Sequence, residues 1–249
     1  MKSLLALALL FKATLTHGAA QPTPAASDLL TASDRSRGAA QSMKGLTWIS
    51  KVTSLENGTP LEVTYEVKVL GNDAVAEVQD PPRQKGEVVL FNDRTLWFFK
   101  PGLRKPVNIS PRQKLIGQAA NGDIASTQYA RDYSATAVEA SEIDGKKTWK
   151  LMLKAKAKNV TYDQIRYWIA QKDKTAVRAE FLTLSGQTFK IAEFLYGNSL
   201  SIKGSSVPFV SEMKITDFNN KKNVTTLNYK NPHEEAHSEG LFNVNSLMK

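Results

Sequence analysis

Residues 61–71 read LEVTYEVKVLG. Leu61, Val63, Tyr65, Val67 and Val69 are apolar, and Glu62, Thr64, Glu66 and Lys68 fill the positions between them. Successive side chains of an extended chain point to opposite faces, so a period of two predicts a strand with one buried face and one wet face. Residues 149–158, WKLMLKAKAK, repeat the pattern. There Trp149, Leu151, Leu153, Ala155 and Ala157 face one way, and Lys150, Lys154, Lys156 and Lys158 face the other.

Outward from these two segments the texture stays β-like, with short runs separated by turn residues at regular spacing. Further strands are expected over 48–55, 73–79, 86–91, 94–99, 104–109, 133–142, 160–171, 175–184, 187–196, 209–218 and 223–230. Helical character is expected over 28–43, where Ser27 or Asp28 offers an N-cap, near 110–118, and weakly after Asn231. Residues 119–132, AANGDIASTQYARD, read as a long connecting loop. So many consecutive strands without interleaved helices predict a mainly β fold, a single antiparallel sheet that must curl or close. A curved sheet with one apolar face and a few helices leads in turn to the expectation of a concave apolar pocket.

The chain has 249 residues, 41% hydrophobic and 23% charged, which is globular composition. Residues 1–20 combine Lys2, an apolar run from Leu4 to Phe11 and small residues at Gly18 and Ala20, the pattern of a secretory signal peptide. The expected organisation is therefore a signal peptide over 1–20 and a single domain over 21–249, exported to the periplasm. The absence of cysteine excludes disulfides, a thiolate nucleophile and a lipidated N-terminal Cys. The formal charge is +9, and the leader contributes Lys2 and Lys12 with no acid, which leaves +7. That excess is dispersed, without the basic and aromatic clustering of a nucleic-acid module, so no nucleic-acid partner is expected.

Several stretches together resemble a known family. They are DRSRG (34–38), LWFFKPGLRKPVNISPRQKLIGQAANGDI (96–124), RDY (131–133), LMLKAKAKNVTYDQIRYWI (151–169) and RAEFLTLSGQTFKIAEF (178–194). They are similar to the outer membrane lipoprotein-sorting protein family, the LolA-like periplasmic carriers, over roughly 28–230. The resemblance implies a half-closed, incomplete β-barrel whose apolar cavity is lidded by helices and receives acyl chains. It implies binding without catalysis and without a cofactor. The implied partners are lipoprotein acyl chains or lipid, an inner-membrane transporter and an outer-membrane acceptor, with the carrier a monomer. An accessory lipid-binding subunit of an envelope exporter is the other role of this kind. Arg35 and Arg37 are the candidates for a lid arginine.

The cavity-lining candidates are Val63, Tyr65, Val67, Trp97, Phe99, Trp149, Leu151, Leu153, Trp168, Phe181 and Phe194, with core packing as the plainer role for each. Leu96 and Phe98 alternate with Trp97 and Phe99, so both faces of that strand are apolar, and alternation does not say which one lines the cavity. Arg104, Lys105, Arg112 and Lys114 gather around two prolines, as on a sheet edge protected from further pairing.

One motif points elsewhere. His233, Glu234 and His237 form His-Glu-x-x-His, which in a zinc metalloprotease sits on a helix that brings both histidines to one face. A catalytic zinc needs a third protein ligand. The residue at the expected place is Asn243, and the remaining histidine, His17, belongs to the leader. A surface pair with no metal is the expectation.

Overall fold

The computed structural model of the chain describes residues 23–39, 43–56, 58–124, 128–202 and 204–248. The leader predicted over 1–20 lies outside them. Helix α1 (Ala26–Arg35) comes first. A meander follows: β1 (Leu46–Glu56), β2 (Thr59–Leu70), β3 (Asp73–Asp80), β4 (Val88–Asn92), β5 (Thr95–Phe99) and β6 (Val107–Ile109). The chain then crosses over through β7 (Lys114–Ile116), β8 (Ala119–Ala120) and the single turn α2 (Tyr129–Asp132). A second meander comprises β9 (Tyr133–Ile143), β10 (Lys146–Ala155), β11 (Gln164–Ala170), β12 (Ala176–Leu182) and β13 (Thr188–Leu195). The hairpin β14 (Asn198–Ile202) and β15 (Ser205–Phe209) leaves the sheet before β16 (Glu212–Asp217) and β17 (Val224–Glu234) rejoin it.

The main sheet has 13 strands in the order β6-β5-β4-β3-β2-β1-β17-β16-β13-β12-β11-β10-β9. The two meanders are joined by β17, which runs antiparallel to β1 from Leu46 opposite Glu234 to Leu55 opposite Val224. The edges β6 and β9 do not pair with each other, so this is one curved antiparallel sheet that stays unclosed. Tight turns set the register. Asp144 and Gly145 both adopt positive φ, at 49° and 75°, between β9 and β10. That is the backbone twist a two-residue Asp-Gly hairpin requires.

Alternation along the strands sends Trp48, Val52, Val67, Ala76, Leu151, Tyr167, Phe181 and Leu227 to the concave side, where they form one continuous buried core. Leu29 and Leu30 of α1, Ile116 and Ala119 of the crossover, and Leu200 and Phe209 of the β14–β15 hairpin pack onto that core as a cover. A second, smaller core lies on the opposite face. Val75, Val88 and Leu90 are capped there by Phe242, with Trp97, Phe99, Leu241 and Val244 packed around them.

Three local expectations are corrected. Helix α1 ends at Arg35, before the expected 43, because the chain bends at Gly38 (φ 109°), which a Cβ would bring to 2.9 Å from the Trp48 ring. The stretch near 110–118 is a turn followed by β7, because its adjacent Leu115 and Ile116 do not repeat at helical spacing. After Asn231, β17 continues to Glu234, and 3₁₀ turns follow only at Glu239–Phe242 and Val244–Met248. The β14–β15 hairpin was not expected.

Candidate functional site

Beside its apolar packing on the core, the cover is tied to the sheet by polar groups. On the crossover, the Gln118 amide donates to Thr225 Oγ1 (2.7 Å), Thr225 Oγ1 to Ser54 Oγ (3.1 Å), and Lys190 Nζ to the Gln118 carbonyl (2.6 Å). Asp123 accepts from the Tyr162 hydroxyl at 2.8 Å and the Ala120 amide at 2.9 Å. Arg112 forks onto both carboxylate oxygens of Asp163 at 2.7 and 2.6 Å. Burial pushes the Asp123 carboxyl up and pulls the Lys190 ammonium down, as expected when charges leave water.

On the other side, Arg37 follows α1 into the interior. It is buried, whereas Arg35 is exposed. Its guanidinium carbon lies 4.4 Å from the Phe194 ring centroid and 5.1 Å from that of Tyr129, and Nη1 donates to the Tyr167 hydroxyl at 3.2 Å. The Tyr167 hydroxyl also meets Ser33 Oγ at 2.6 Å. Asp34 Oδ2 accepts the Ala130 amide at 2.8 Å and so ties α1 to α2, while Asp34 Oδ1 has no hydrogen-bond partner among the described residues. Burial pushes the Asp34 carboxyl up to about 7.

Beside the crossover the chamber is open. A cavity of about 800 Å³ lies between β7 and the concave faces of β2, β3 and β5. Leu61, Val63, Tyr65, Val78, Phe98 and Leu115 form its apolar walls, and Glu62, Arg83, Glu87 and Lys114 reach its lining. Pockets for small molecules run from roughly 300 to 1,000 Å³ and are mostly apolar with a few polar groups.

The structure sorts the sequence candidates by face. Val63, Tyr65, Val67, Trp149, Leu151, Leu153, Phe181 and Phe194 all belong to or pack on the concave core. Of these, Val63 and Tyr65 touch the open cavity. Val67, Leu151, Leu153 and Phe181 are 0% exposed and form the closed floor. Trp97 and Phe99 are corrected to the opposite face, where they meet the C-terminal segment. Trp168 likewise alternates outward from Tyr167, and Arg178 lies 5.9 Å from its ring centroid. Phe98 and Leu115 line the cavity and were not singled out. For Phe98 the signal was present in the sequence, in the doubly apolar strand, but the choice of face was not.

The histidine motif is not helical. His233 and Glu234 extend β17 and residues 235–238 carry no helix, so helical i,i+4 placement of the two histidines does not arise. Thr47 Oγ1 donates to Glu235 at 2.7 Å and lies 2.9 Å from His237 Nε2. With the threonine proton on Glu235, His237 Nε2 is the donor to Thr47. Among the described residues no group of three or more His, Cys, Asp or Glu is placed to hold a metal ion. The motif fastens the chain that leads to Phe242.

A family model described as "Uncharacterized protein" matches residues 71–249. The chain belongs to this family, DUF1329. Solved structures share its fold. A LolA superfamily protein from Nitrosomonas europaea is 24% identical with a TM-score of 0.76, covering 88% of this chain and 97% of that one. A DUF1329 family protein from Desulfovibrio piger is 16% identical with a TM-score of 0.71, covering 89% and 97%. A domain assigned as an outer membrane lipoprotein-sorting protein, from Vibrio parahaemolyticus, is 16% identical with a TM-score of 0.74, covering 90% and 98%. No curated protein matches the sequence. The family's chain thus has the LolA-like fold, an unclosed antiparallel sheet with a covered concave face.

Proposed function

We propose that this protein is a periplasmic carrier that takes acyl chains, of lipoproteins or of lipids, into the cavity beneath the crossover. The observation that supports this most directly is the apolar cavity of about 800 Å³ under a cover fastened by exchangeable polar contacts. Each CH₂ removed from water contributes about 0.8 kcal/mol, so a long chain is held by walls such as Val63, Tyr65 and Phe98 without any specific bond. Release requires that the crossover lift, which exchanges its hydrogen bonds to Thr225 and Lys190 for bonds to water and exposes Ile116 and Ala119.

In this reading the protein works as a monomer between an inner-membrane donor and an outer-membrane acceptor. An accessory subunit of an envelope exporter would use the same chamber and differ in what docks outside. The site has the walls of a binding chamber, and binding without chemistry is the role proposed for it.

Mass spectrometry of organic extracts of the purified protein, with titration of a fluorescent long-chain fatty acid, tests the proposal. Co-purifying acyl lipid and saturable binding are expected, with the binding weakened in Val63→Trp, whose ring intrudes on the cavity from its wall. Absence of both lipid and binding overturns it.

A further inference from the structure

A second cavity, also of about 800 Å³, lies away from the crossover, where the β9–β10 turn meets the β11–β12 turn. Its walls include Ala176, Val177, Phe194, Leu195 and Tyr196, and its rim carries Lys146, Lys147 and Lys172. The two turns are knitted together. The Gln171 amide donates to the Lys147 carbonyl at 3.0 Å, and Gln171 Nε2 donates to the Thr148 carbonyl at 3.1 Å. These bonds fix Lys172 beside the start of β10, so lysines distant in sequence share one rim.

The rim charges are not neutralised locally. Among the described residues none of the three lysines lies within ion-pair distance of a carboxylate. Lys150, further along β10, by contrast reaches Glu139. The acids near the rim are otherwise disposed. Asp173 Oδ1 takes bonds from the Thr175 amide (3.1 Å) and the Thr175 hydroxyl (2.7 Å) within its own turn. Glu142 stands opposite Lys147 in the strand pair without a salt bridge, and Asp144 sits in the turn itself. The wall is largely apolar, with Gln171, Asp173, Thr175 and Ser211 as its polar members. The Tyr196 hydroxyl is occupied by the Ala176 amide at 3.0 Å, and Leu195 presents an apolar side chain that is 54% exposed.

Apolar walls under a rim of three unpaired ammonium groups form a surface with two chemistries side by side. We propose that this cavity binds a single anionic amphiphile, with a phosphate or carboxylate headgroup on Lys146, Lys147 and Lys172 and its apolar portion against Val177 and Leu195. The site is separate from the crossover cavity and stands or falls independently of the carrier reading. Phe194 belongs to both neighbourhoods, since it is among the residues lining this cavity and its ring lies 4.4 Å from the Arg37 guanidinium carbon.

The test uses the whole chain and monomeric short-chain lipids below their micelle concentrations, titrated calorimetrically. Phosphatidylglycerol is compared with phosphatidylcholine of the same chains. The anionic lipid is expected to bind about tenfold or more tightly, with the difference shrinking at high salt, since clustered lysines near anionic headgroups contribute cumulatively. The triple variant Lys146→Gln, Lys147→Gln, Lys172→Gln changes only surface positions and is expected to abolish the discrimination. Val63→Trp, in the other cavity, is expected to leave it intact. Equal affinity for the two lipids, or discrimination that survives the triple variant or disappears in Val63→Trp, overturns the proposal. So does lysine-dependent binding seen with phosphatidylglycerol vesicles but not with the monomeric lipid, since that would mark a membrane-docking patch instead of a cavity ligand.

Discussion

The Arg37 guanidinium carbon lies 4.4 Å from the centroid of the Phe194 ring, deep under the cover, with no carboxylate within ion-pair distance among the described residues. A desolvated guanidinium over an aromatic face gains about 2 kcal/mol, less than the several kcal/mol that removing its hydration costs. The Tyr129 ring at 5.1 Å and the Tyr167 hydroxyl at 3.2 Å offset part of the rest, which leaves a residual hydration penalty. The neutral Arg37→Leu variant is expected to raise the thermal midpoint by about 2–4 °C for each kcal/mol of hydration penalty relieved. It is also expected to slow the uptake of a fluorescent fatty acid in stopped-flow mixing. A lower midpoint together with faster uptake would show instead that the charge holds the cover shut.

Asp34, three residues earlier, makes the cover respond to pH. Its carboxyl is pushed up to about 7 from 3.8, chiefly by burial, with the Ala130 and Tyr129 amides and Arg37 opposing the shift and Asp132 reinforcing it. A folded-state value above the unfolded one means that the folded protein binds the extra proton. The contribution is fully present below about 4 and is lost as the pH rises through about 7. Asp123, also buried and shifted up, acts in the same direction. Urea unfolding of the wild type is expected to show stability falling from pH 5 to pH 8. In Asp34→Asn, whose amide oxygen can still accept the Ala130 N–H, most of that slope should vanish. A slope unchanged in the variant would assign it to other groups.

Much of this fold can be read from alternation alone. Residues 61–69 and 149–157 show period two because each strand has one buried face; β2 lies inside the sheet and β10 lies next to its edge strand β9. Alternation fails where both faces are covered. In LWFF at 96–99, one face meets the concave core and the other meets Phe242, a contact more than a hundred residues away in sequence. The sequence carried the apolar character of Trp97 and Phe99 without their partner, so they were expected in the cavity. The same limit applies to Arg37, because a lone arginine after a helix is ordinarily a solvated group. Only the tertiary approach of Phe194, Tyr129 and Tyr167 makes it an interior one. The histidine motif misled for the converse reason, since its spacing acquires meaning only on a helix and here the backbone is extended.

Phe242 gives a check on the outer core. It is 2% exposed and packs on Val75, Val88 and Leu90, with Trp97, Phe99, Leu241 and Val244 around it. Truncation of a buried Phe costs roughly 3–5 kcal/mol, and the lower end fits a segment that can partly collapse onto the site. Phe242→Ala is expected to lose about 3 kcal/mol in denaturant titration and to speed amide exchange in β4 and β5. Fatty-acid binding at the crossover cavity, on the opposite face, should change little. Lost binding with unchanged stability would mean that the two faces are coupled.

Gly117 tests whether the crossover is the moving part. It sits at φ 54°, where an added Cβ would come to 1.8 Å from Ser54 Oγ and 2.3 Å from Thr225 Oγ1. Those two hydroxyls are the ones that hold the neighbouring Gln118 amide and each other. Gly117→Ala therefore opposes the closed position twice, through the backbone conformation and through the clash, and leaves the apolar walls Val63, Tyr65, Val78 and Phe98 as they are. The crossover is expected to lift. Residues 114–124 should lose protection in hydrogen exchange and become sensitive to limited proteolysis, while the exchange of β1 and β17 stays near that of the wild type. Global stability should fall by about 1–3 kcal/mol. If the carrier reading is right, fatty acid should enter and leave faster with affinity changed less than either rate, because the walls remain. Uniform loss of protection across the sheet would show that Gly117 is required for folding and that the crossover does not move by itself.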